Sequence, residues 1–457
     1  MSEQEYRAGF SGRLGFIMAT SASAVGLGNL WRFPFEASHY GGGIFVLVYV
    51  IIAFTFGICL MMLEMSFGRK TGKSCIAAFA EVSKKYRFIG YIEAAVPLLI
   101  VPYYCVIGGW VTKWLFDTAT GNLDMLAADG GSYWWDFVIG EVEGGFLGSS
   151  VWFLIFAALC VVCIVVGVDK GIEKLSKLLM PLLILMMVGL VIYELTIPGI
   201  WDGVSFYLYP KLQDLGPDTF MGAVTQNFFS MSIAMGILVT YGSYTKKDVD
   251  LEKSAITVGA IDLGVALLAG LMIVPVAFMF GFGDYNGMGL MFIAMPQVFS
   301  SMSLGGIIAP IFYLLVLFAA LTSAVSLAET GVSMFMDSQN TSRIKSSAIT
   351  ALLIVLLGML CVLGFGDGPL AFDTPLSQGA GWLGFFDTLT NNLMMPITAI
   401  LFCLFIGYVV RTTFLEEEIE LSSDFRLRFM FRIMVKYIAP VLLTLILISG
   451  IYTIIAR

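Results

Sequence analysis

The stretch from Ser23 to Pro34 reads SAVGLGNLWRFP and places two glycines, an amide and a guanidinium inside a segment otherwise apolar enough to cross a membrane. Backbone that leaves the helix at membrane depth is stable only where protein buries it or where it lines a cavity. Glycine leaves the helix at low cost, and the freed carbonyl groups can bind a ligand. The stretch therefore predicts an interrupted membrane helix at a binding site or pathway.

The composition of the chain is that of a polytopic membrane protein. Of its 457 residues, 58% are hydrophobic and 13% are charged, and the mean hydropathy is +0.90, far from a soluble domain. We expect one all-α transmembrane domain over residues 1–457, with the lipid bilayer as its surroundings and no nucleic-acid partner. No nucleophile, base or metal-ligand pattern predicts an enzyme.

Hydropathy and charge predict the topology. At about 20 residues per span, eleven helices are expected, at 13–38, 41–69, 88–116, 149–167, 174–195, 217–246, 253–281, 307–336, 346–365, 380–411 and 429–455. With a cytoplasmic N-terminus, all but four of the 25 Lys and Arg residues face the cytoplasm, the four being Arg32, Lys113, Lys211 and Arg457. This positive-inside pattern predicts a multi-pass plasma-membrane protein with an extracellular C-terminus.

A second interruption is predicted at Ser230 to Gly236, which read SMSIAMG. Two interrupted spans five helices apart suggest an inverted repeat, with 13–195 (helices 1–5) as the first half and 217–411 (helices 6–10) as the second, followed by helix 11 at 429–455. A binding site would then lie between the halves, at the middle of the membrane. Small residues that let helices pack closely are the alternative explanation of either interruption.

Several motifs, in this order, resemble the neurotransmitter:sodium symporters, and specifically the bacterial branch with eleven helices. They are SAVGLGNLWRFP, YGGG at 40–43, EMSFGR at 64–69, PYY at 102–104, TYGSY at 240–244 and AALTS at 319–323. The resemblance implies a LeuT-type 5+5 inverted repeat with discontinuous helices 1 and 6. It also implies a sodium-coupled symporter that imports amino acids by alternating access, as a monomer or weak oligomer. A proton-coupled transporter on the same fold and an amino acid sensor without transport remain alternatives.

The resemblance implies two sodium sites. The first comprises the Ala24 carbonyl, Asn29, Ser230, Asp262 and the substrate carboxylate, and the second comprises the Ala22, Val25 and Ala319 carbonyls with the Thr322 and Ser323 hydroxyls. A ligand shared by substrate and ion makes each bind more tightly when the other is present. Taken alone, a pair such as Thr322 and Ser323 more often has hydroxyls bonded back to their own helix.

Asp262 is an acid within an apolar helix, which marks an ion site or a paired structural acid. Many relatives have asparagine there, and chloride-dependent relatives have serine one turn later, where this chain has Ala266. Tyr49, Gln226 and Ser230 match the other chloride-ligand positions. Because a fixed carboxylate can replace the negative charge of chloride, we expect transport without chloride. The alternative is a protonated or salt-bridged acid with a structural role.

The resemblance also implies a substrate site, whose residues are Ala24, Gly26, Gly28, Ile100, Tyr104, Phe229, Ser230, Ser232, Met235, Ser323 and Leu327. Amide groups at the helix ends and the Tyr104 hydroxyl would hold the amino acid carboxylate. The side-chain pocket has no charged residue, and the flexible Met235 adapts to different shapes. We therefore expect hydrophobic and aromatic amino acids. For Ile100 and Leu327, ordinary core packing is the alternative.

Two gates are expected by the same resemblance. Arg32, Phe229 and Tyr104 match the outer gate, and Asp387 is the acid nearest to the position that usually completes it. Arg7 and Asp337, supported by Ser243 and Tyr244, would close the inner side. Solvated surface charges are the alternative for Arg7 and Asp337.

The cytoplasmic start of helix 5 lies between Gly171 and Pro181. Glycine weakens a helix and proline removes a backbone hydrogen bond, so this start can unwind and admit water to the second sodium site. A glycine cap and a tolerated proline kink are the alternative.

Overall fold

A computed structural model describes residues 9–142, 145–281, 287–366 and 368–455. Within these ranges the chain is helical and has no β-strand. Nine of the described helices are long and apolar enough to cross a membrane, and a bent pair of shorter helices at the N-terminal end raises the number to ten. The prediction of an all-α polytopic membrane protein is therefore confirmed.

The helices are labelled in chain order. They are α1 (Arg13–Ala24), α2 (Gly28–His39), α3 (Gly43–Thr71), α4 (Cys75–Val82), α5 (Lys84–Ala119), α6 (Leu123–Ala127), α7 (Ser132–Val138), α8 (Leu147–Val166), α9 (Val168–Glu194), α10 (Ile200–Leu208), α11 (Pro217–Ser230), α12 (Ile237–Ser243), α13 (Leu251–Phe280), α14 (Gly287–Ser301), α15 (Gly305–Gln339), α16 (Arg343–Leu363), α17 (Gly381–Val410), α18 (Thr413–Ile419) and α19 (Arg428–Ile455).

The sixth predicted span, 217–246, is divided into α11 and α12. The first half of α3 packs against α11 and its second half packs against α12, so the two short helices together run along one full span. Gly68 on α3 lies directly against the Val239 carbonyl, and Gly242 lies against the Met65 carbonyl. These glycines let the two backbones touch. The number eleven therefore depends on counting α11 and α12 as one span.

The centre of the bundle is formed by α5 and α15, which pack along each other. The helix α1 packs against α9, α13 and α15, so its C-terminal end lies inside the protein. By contrast, only 17% of the most apolar stretch of α19 is buried, against 78% for α5. The helices that meet at the interruptions are thus the protected ones, and α19 faces the surroundings.

The loops with most of the basic residues meet at one end of the bundle, here called the basic end. Arg69 at the end of α3 donates to the Glu418 carboxylate on α18 (2.8 Å) and to the Val249 carbonyl before α13 (2.6 Å). Lys247 donates to the same carboxylate (2.7 Å). Segments far apart in the sequence are therefore joined at this end by buried hydrogen-bonded charges.

Candidate functional site

The first interruption separates α1 from α2, whose axes differ by 51°. The freed amides are bound by side chains. Gly26 N–H donates to Asn29 Oδ1 (3.1 Å), and Leu27 N–H donates to the hydroxyl of Tyr104 on α5 (3.2 Å). A buried backbone donor without a partner is costly, so these side chains hold the interrupted stretch in one conformation.

The carbonyl groups of the same stretch face α15 and α11. The Ser323 hydroxyl lies 3.1 Å from the Ser23 oxygen and 3.3 Å from the Val25 oxygen, and the Gln226 amide donates to the Gly28 oxygen (2.9 Å). Gly26 is tightly enclosed, because a Cβ there would lie 2.5 Å from Ser323 Oγ. The predicted interruption is thus present, with its backbone turned towards polar side chains.

The second interruption lies between α11 and α12. Ser232, Ala234 and Gly236 have positive φ angles of 55°, 60° and 67°, which cost a non-glycine residue about 1–2 kcal/mol each. Ala234 N–H donates to Glu64 Oε1 on α3 (2.7 Å), and the Ser232 hydroxyl lies 3.3 Å from the Ser23 oxygen. The two interruptions therefore touch each other through Ser23 and Ser232.

Beside the interruptions, Asp262 on α13 forms a buried polar cluster with Asn29 and Ser230. The Asn29 amide donates to Asp262 Oδ1 (2.8 Å), and the Ser230 hydroxyl lies 3.0 Å from both carboxylate oxygens. No Lys or Arg of the described residues pairs with Asp262, and Asp262 is fully buried. This cluster of carboxylate, hydroxyl and amide groups suits a hard cation such as sodium.

The five residues of the second predicted sodium site are all buried, but the two hydroxyls, of Thr322 and Ser323, have different partners. The Thr322 hydroxyl lies 3.1 Å from both the Phe318 and the Ala319 oxygens of its own helix, as the back-bonded alternative expects. Ser323 instead reaches the Val25 oxygen of the first interruption. Ala22 lies at the end of α1, 1% exposed. The structure thus joins Ser323 to Val25 directly and leaves Thr322 bonded to Ala319.

The predicted substrate residues divide into a polar and an apolar group. Tyr104 and Ser323 meet at Gly26, where a Cβ would lie 3.0 Å from the Tyr104 hydroxyl. Ile100 and Leu327 belong to the large apolar core, and Phe229 and Met235 are partly exposed at its edge. The remaining members lie in or beside the interruptions and are Ala24, Gly28, Ser230 and Ser232.

At the predicted outer gate, Arg32 and Asp387 have other partners. Arg32 pairs with Glu36 one turn later (3.2 Å), and its guanidinium lies 4.2 Å from the centre of the Phe229 ring. Asp387 Oδ1 accepts hydrogen bonds from Tyr103 (3.1 Å) and from Asn391 (2.7 Å). The structure therefore brings Arg32 to Phe229 and does not place Arg32 in an ion pair with Asp387.

At the predicted inner gate, Arg7 lies outside the described residues, and Asp337 Oδ2 accepts the Ser74 N–H (2.6 Å). The Tyr244 hydroxyl donates to Glu329 Oε1 (2.7 Å). Glu329, fully buried on α15, also binds both guanidinium nitrogens of Arg343 (3.0 and 2.5 Å).

Sequence reasoning missed the Glu329–Arg343 pair. The available signal was an acid within an apolar helix, the same signal that selected Asp262.

The start of α9, predicted to unwind, is helical here. Gly171 packs against the Cys163 carbonyl, and Pro181 lies inside the helix. Between them, the Glu173 carboxylate accepts the Ser11 N–H (2.8 Å) and pairs with Lys177 (2.6 Å). Glu173 thus ties the segment before α1 to the start of α9.

Comparison with known proteins identifies the family. Residues 7–136 and 124–456 match the model of the sodium:neurotransmitter symporter family. The chain belongs to this family. The symporter is 33% identical over 454 residues to the Bacillus subtilis protein YhdH, named a sodium-dependent transporter, with 98% of each chain covered. It is 28% identical over 381 residues to the human sodium- and chloride-dependent GABA transporter 2, covering 72% of this chain and 62% of the relative.

A solved structure extends the match to the fold. The crystal structure of MhsT in complex with L-phenylalanine superposes with a TM-score of 0.86 at 33% identity, covering 97% of the symporter and 100% of MhsT. The predicted LeuT-type fold is therefore confirmed. The protein is a multi-pass, sodium-coupled secondary transporter and not an enzyme.

Proposed function

We propose that this symporter imports hydrophobic and aromatic amino acids together with sodium, without chloride, by alternating access between the halves 13–195 and 217–411. The observation that carries the proposal is the buried cluster of Asp262, Asn29 and Ser230 beside both helix interruptions. A relative of the same fold was solved with L-phenylalanine, which supports an apolar amino acid as substrate.

The first sodium ion would bind the Asp262 carboxylate, Asn29, Ser230, the Ala24 carbonyl and the substrate carboxylate. The ion supplies the positive charge that no described Lys or Arg supplies to Asp262. Because substrate and ion share a carboxylate, the binding of one strengthens the binding of the other, and by linkage the strengthening is reciprocal. This shared ligand couples amino acid movement to the sodium gradient.

A second sodium ion would lie between the first interruption and α15. Its ligands would be the Ala22, Val25 and Ala319 carbonyls with the Thr322 and Ser323 hydroxyls. The Ser323 contact with the Val25 oxygen (3.3 Å) supports this position. The Thr322 hydroxyl would turn from the Ala319 oxygen to the ion, which a rotation about one side-chain bond accomplishes.

The substrate would bind with its carboxylate at the first interruption and its side chain in the apolar part of the site. Tyr104 and the adjacent amides supply hydrogen bonds for the carboxylate, and Ile100, Phe229, Met235 and Leu327 line the side-chain pocket. None of these four side chains carries a charge. An apolar side chain is then favoured by burial at roughly 25 cal/mol per Å².

Chloride would be unnecessary because Asp262 already provides a fixed negative charge. The neighbouring Tyr49 hydroxyl is buried and has no hydrogen-bond partner among the described residues, and Gln226 binds the Gly28 oxygen through its amide nitrogen. A double variant, Asp262→Asn with Ala266→Ser, removes the charge and adds the missing hydroxyl. It is expected to transport only when chloride is present.

The basic end of the bundle would face the cytoplasm, with a cytoplasmic N-terminus and an extracellular C-terminus in the plasma membrane. In this orientation the Tyr244, Glu329 and Arg343 contacts would close the cytoplasmic side, and the expected pairing of Asp337 with Arg7 would add to the closure. Unwinding of α9 between Gly171 and Pro181 would open it. Each positive charge that enters then gains about 2.3 kcal/mol per 100 mV of inside-negative potential.

Uptake into proteoliposomes tests this function. Labelled leucine, tyrosine, tryptophan and phenylalanine are offered with an inward sodium gradient, with and without chloride, and empty liposomes serve as the blank. Accumulation that requires sodium and ignores chloride is expected. Equal uptake driven by a proton gradient without sodium would favour the proton-coupled alternative, and sodium-dependent binding without accumulation would favour the sensor.

A further inference from the structure

Two buried carboxyl groups flank the second interruption on the side away from Asp262. They belong to Glu64 on α3 and Glu93 on α5, which are 2% and 0% exposed. Glu64 Oε1 accepts the Ala234 N–H (2.7 Å). The other Glu64 oxygen and both Glu93 oxygens have no hydrogen-bond partner among the described residues. Buried carboxyl groups this poorly bonded are rare in native proteins.

The two carboxyl groups face the same short stretch of backbone. Glu64 binds Ala234 and Glu93 lies beside Gly236, two residues later, and no cationic side chain of the described residues pairs with either. Glu93 Cγ lies 3.6 Å from the place of a Cβ on Gly236, so the pair encloses residues 234 to 236. Two neighbouring buried carboxylates cannot both be ionised cheaply, whereas one shared proton supplies the missing donor.

The pair lies between the interruption and the basic end. Glu64 is seven residues before the end of α3 at Thr71, or about 10 Å at 1.5 Å per residue. Three further titratable groups of the described residues face this region. They are the thiols of Cys75 on α4 and Cys403 on α17 and, beyond Cys75 towards the basic end, the carboxylate of Asp337.

We propose that Glu64 and Glu93 share one proton while the symporter is closed to the cytoplasm, and that loss of this proton to the cytoplasm loosens the second interruption. The pair is then a proton-binding site separate from the sodium sites, and inward opening depends on cytoplasmic pH. The inference rests on the proposed orientation of the basic end. The hydrogen bond between Ala234 and Glu64 is independent of that orientation.

The direction of the pH effect follows from linkage. The closed form, in which the pair is buried, binds the proton more tightly than an opened form in which water reaches the carboxyl groups. Raising the pH therefore favours opening. For one proton the opening equilibrium changes by at most tenfold per pH unit.

Hydrogen–deuterium exchange of the full-length protein tests the site without measuring transport. The reporter is the peptide that contains Ala234, with exchange corrected for the chemical rate at each pH. In the wild-type protein, opening of this segment is expected to increase by up to about tenfold per pH unit. In Glu93→Gln the amide donates to Glu64 as the shared proton does, so opening is expected to be independent of pH.

Control variants separate the pair from its neighbours. Cys75→Ala and Asp337→Asn are expected to keep the wild-type pH dependence, and Glu64→Gln is expected to lose it as Glu93→Gln does. Hydrogen–deuterium exchange within α8 (147–166) verifies that each variant is folded. An undiminished pH dependence in both glutamine variants, or its loss in Cys75→Ala, would overturn the proposal. Neither outcome bears on sodium-driven uptake.

Discussion

Asp262 and Glu93 are both acids buried in apolar helices beside an interruption, yet their surroundings differ. Asp262 accepts hydrogen bonds from Asn29 and Ser230, whereas neither oxygen of Glu93 has a partner among the described residues and its close neighbour is another acid. Hydrogen-bond donors stabilise an ionised carboxylate, whereas a second carboxylate nearby destabilises it. In our proposal, one fold thus provides a place for a cation beside Ser230 and a place for a proton beside Ala234.

The largest effect is expected at Asp262, the acid that accepts hydrogen bonds from Asn29 and Ser230. Asp262→Asn keeps the size of the side chain and removes the charge that would bind sodium. The sodium concentration needed for half-maximal L-phenylalanine binding should rise about 100-fold, or ~2.8 kcal/mol at 1.4 kcal/mol per tenfold. Scintillation proximity binding across a sodium series measures it.

The matched change at Glu93 tests whether the two acids differ in function. Glu93→Gln should shift the sodium requirement less than about threefold at pH 6, because Glu93 lies outside the proposed sodium sites. Similar sodium shifts in both variants would mean that the two acids do not differ in function.

A large effect is also expected from filling the first interruption. In Gly26→Ala the added methyl would lie 2.5 Å from Ser323 Oγ and 3.0 Å from the Tyr104 hydroxyl, so one of these groups must move. Amino acid affinity should fall at least about tenfold, or ~1.4 kcal/mol. Gly264→Ala on α13 is the matched control, because nothing lies within 4 Å of its Cβ. Equal losses in both variants would show that the enclosure of Gly26 is unimportant.

At the basic end, the expected effect is on inward opening and not on ligand binding. Glu329→Gln leaves Arg343 without its buried partner, a change that costs roughly 3–5 kcal/mol for pairs of this kind, part of which would favour inward opening. Cys75, which is fully buried here, should then react faster with a maleimide, as peptide mass spectrometry measures. The exposed pair of Lys73 and Glu81 provides the control Glu81→Gln. No increase over that control would remove Glu329 from the inner closure.

The smallest effect is expected at Asp387. Its partners are Tyr103 and Asn391, both of which can also donate to an amide oxygen. Asp387→Asn should therefore lower amino acid uptake by no more than about threefold, whereas Arg32→Gln, which removes the guanidinium over Phe229, should lower it more. The reverse order would restore an ion pair between Arg32 and Asp387 as part of the outer gate.

The sequence was sufficient for features that depend on residue chemistry at membrane depth. Glycines and polar groups within an apolar span identified both interruptions, and an isolated acid identified Asp262. Because hydropathy registers only long apolar stretches, α6, α7 and α14 lie outside the predicted spans. The pairing of Glu329 with Arg343 was not predicted, because it depends on how α15 and α16 fold back on each other. The environment of Glu64 and Glu93 was equally invisible, since only the fold brings α3 and α5 to the second interruption.

The central claim is that sodium and the amino acid share a site at Asp262. Measurements of reciprocal binding test this claim most directly. The affinity for L-phenylalanine is measured with and without sodium, and the affinity for sodium is measured with and without L-phenylalanine, in wild type and Asp262→Asn. Sodium is expected to change the affinity for L-phenylalanine by the same factor by which L-phenylalanine changes the affinity for sodium. In Asp262→Asn this factor should be close to one. Binding of L-phenylalanine that is equally tight without sodium in the wild type would contradict it.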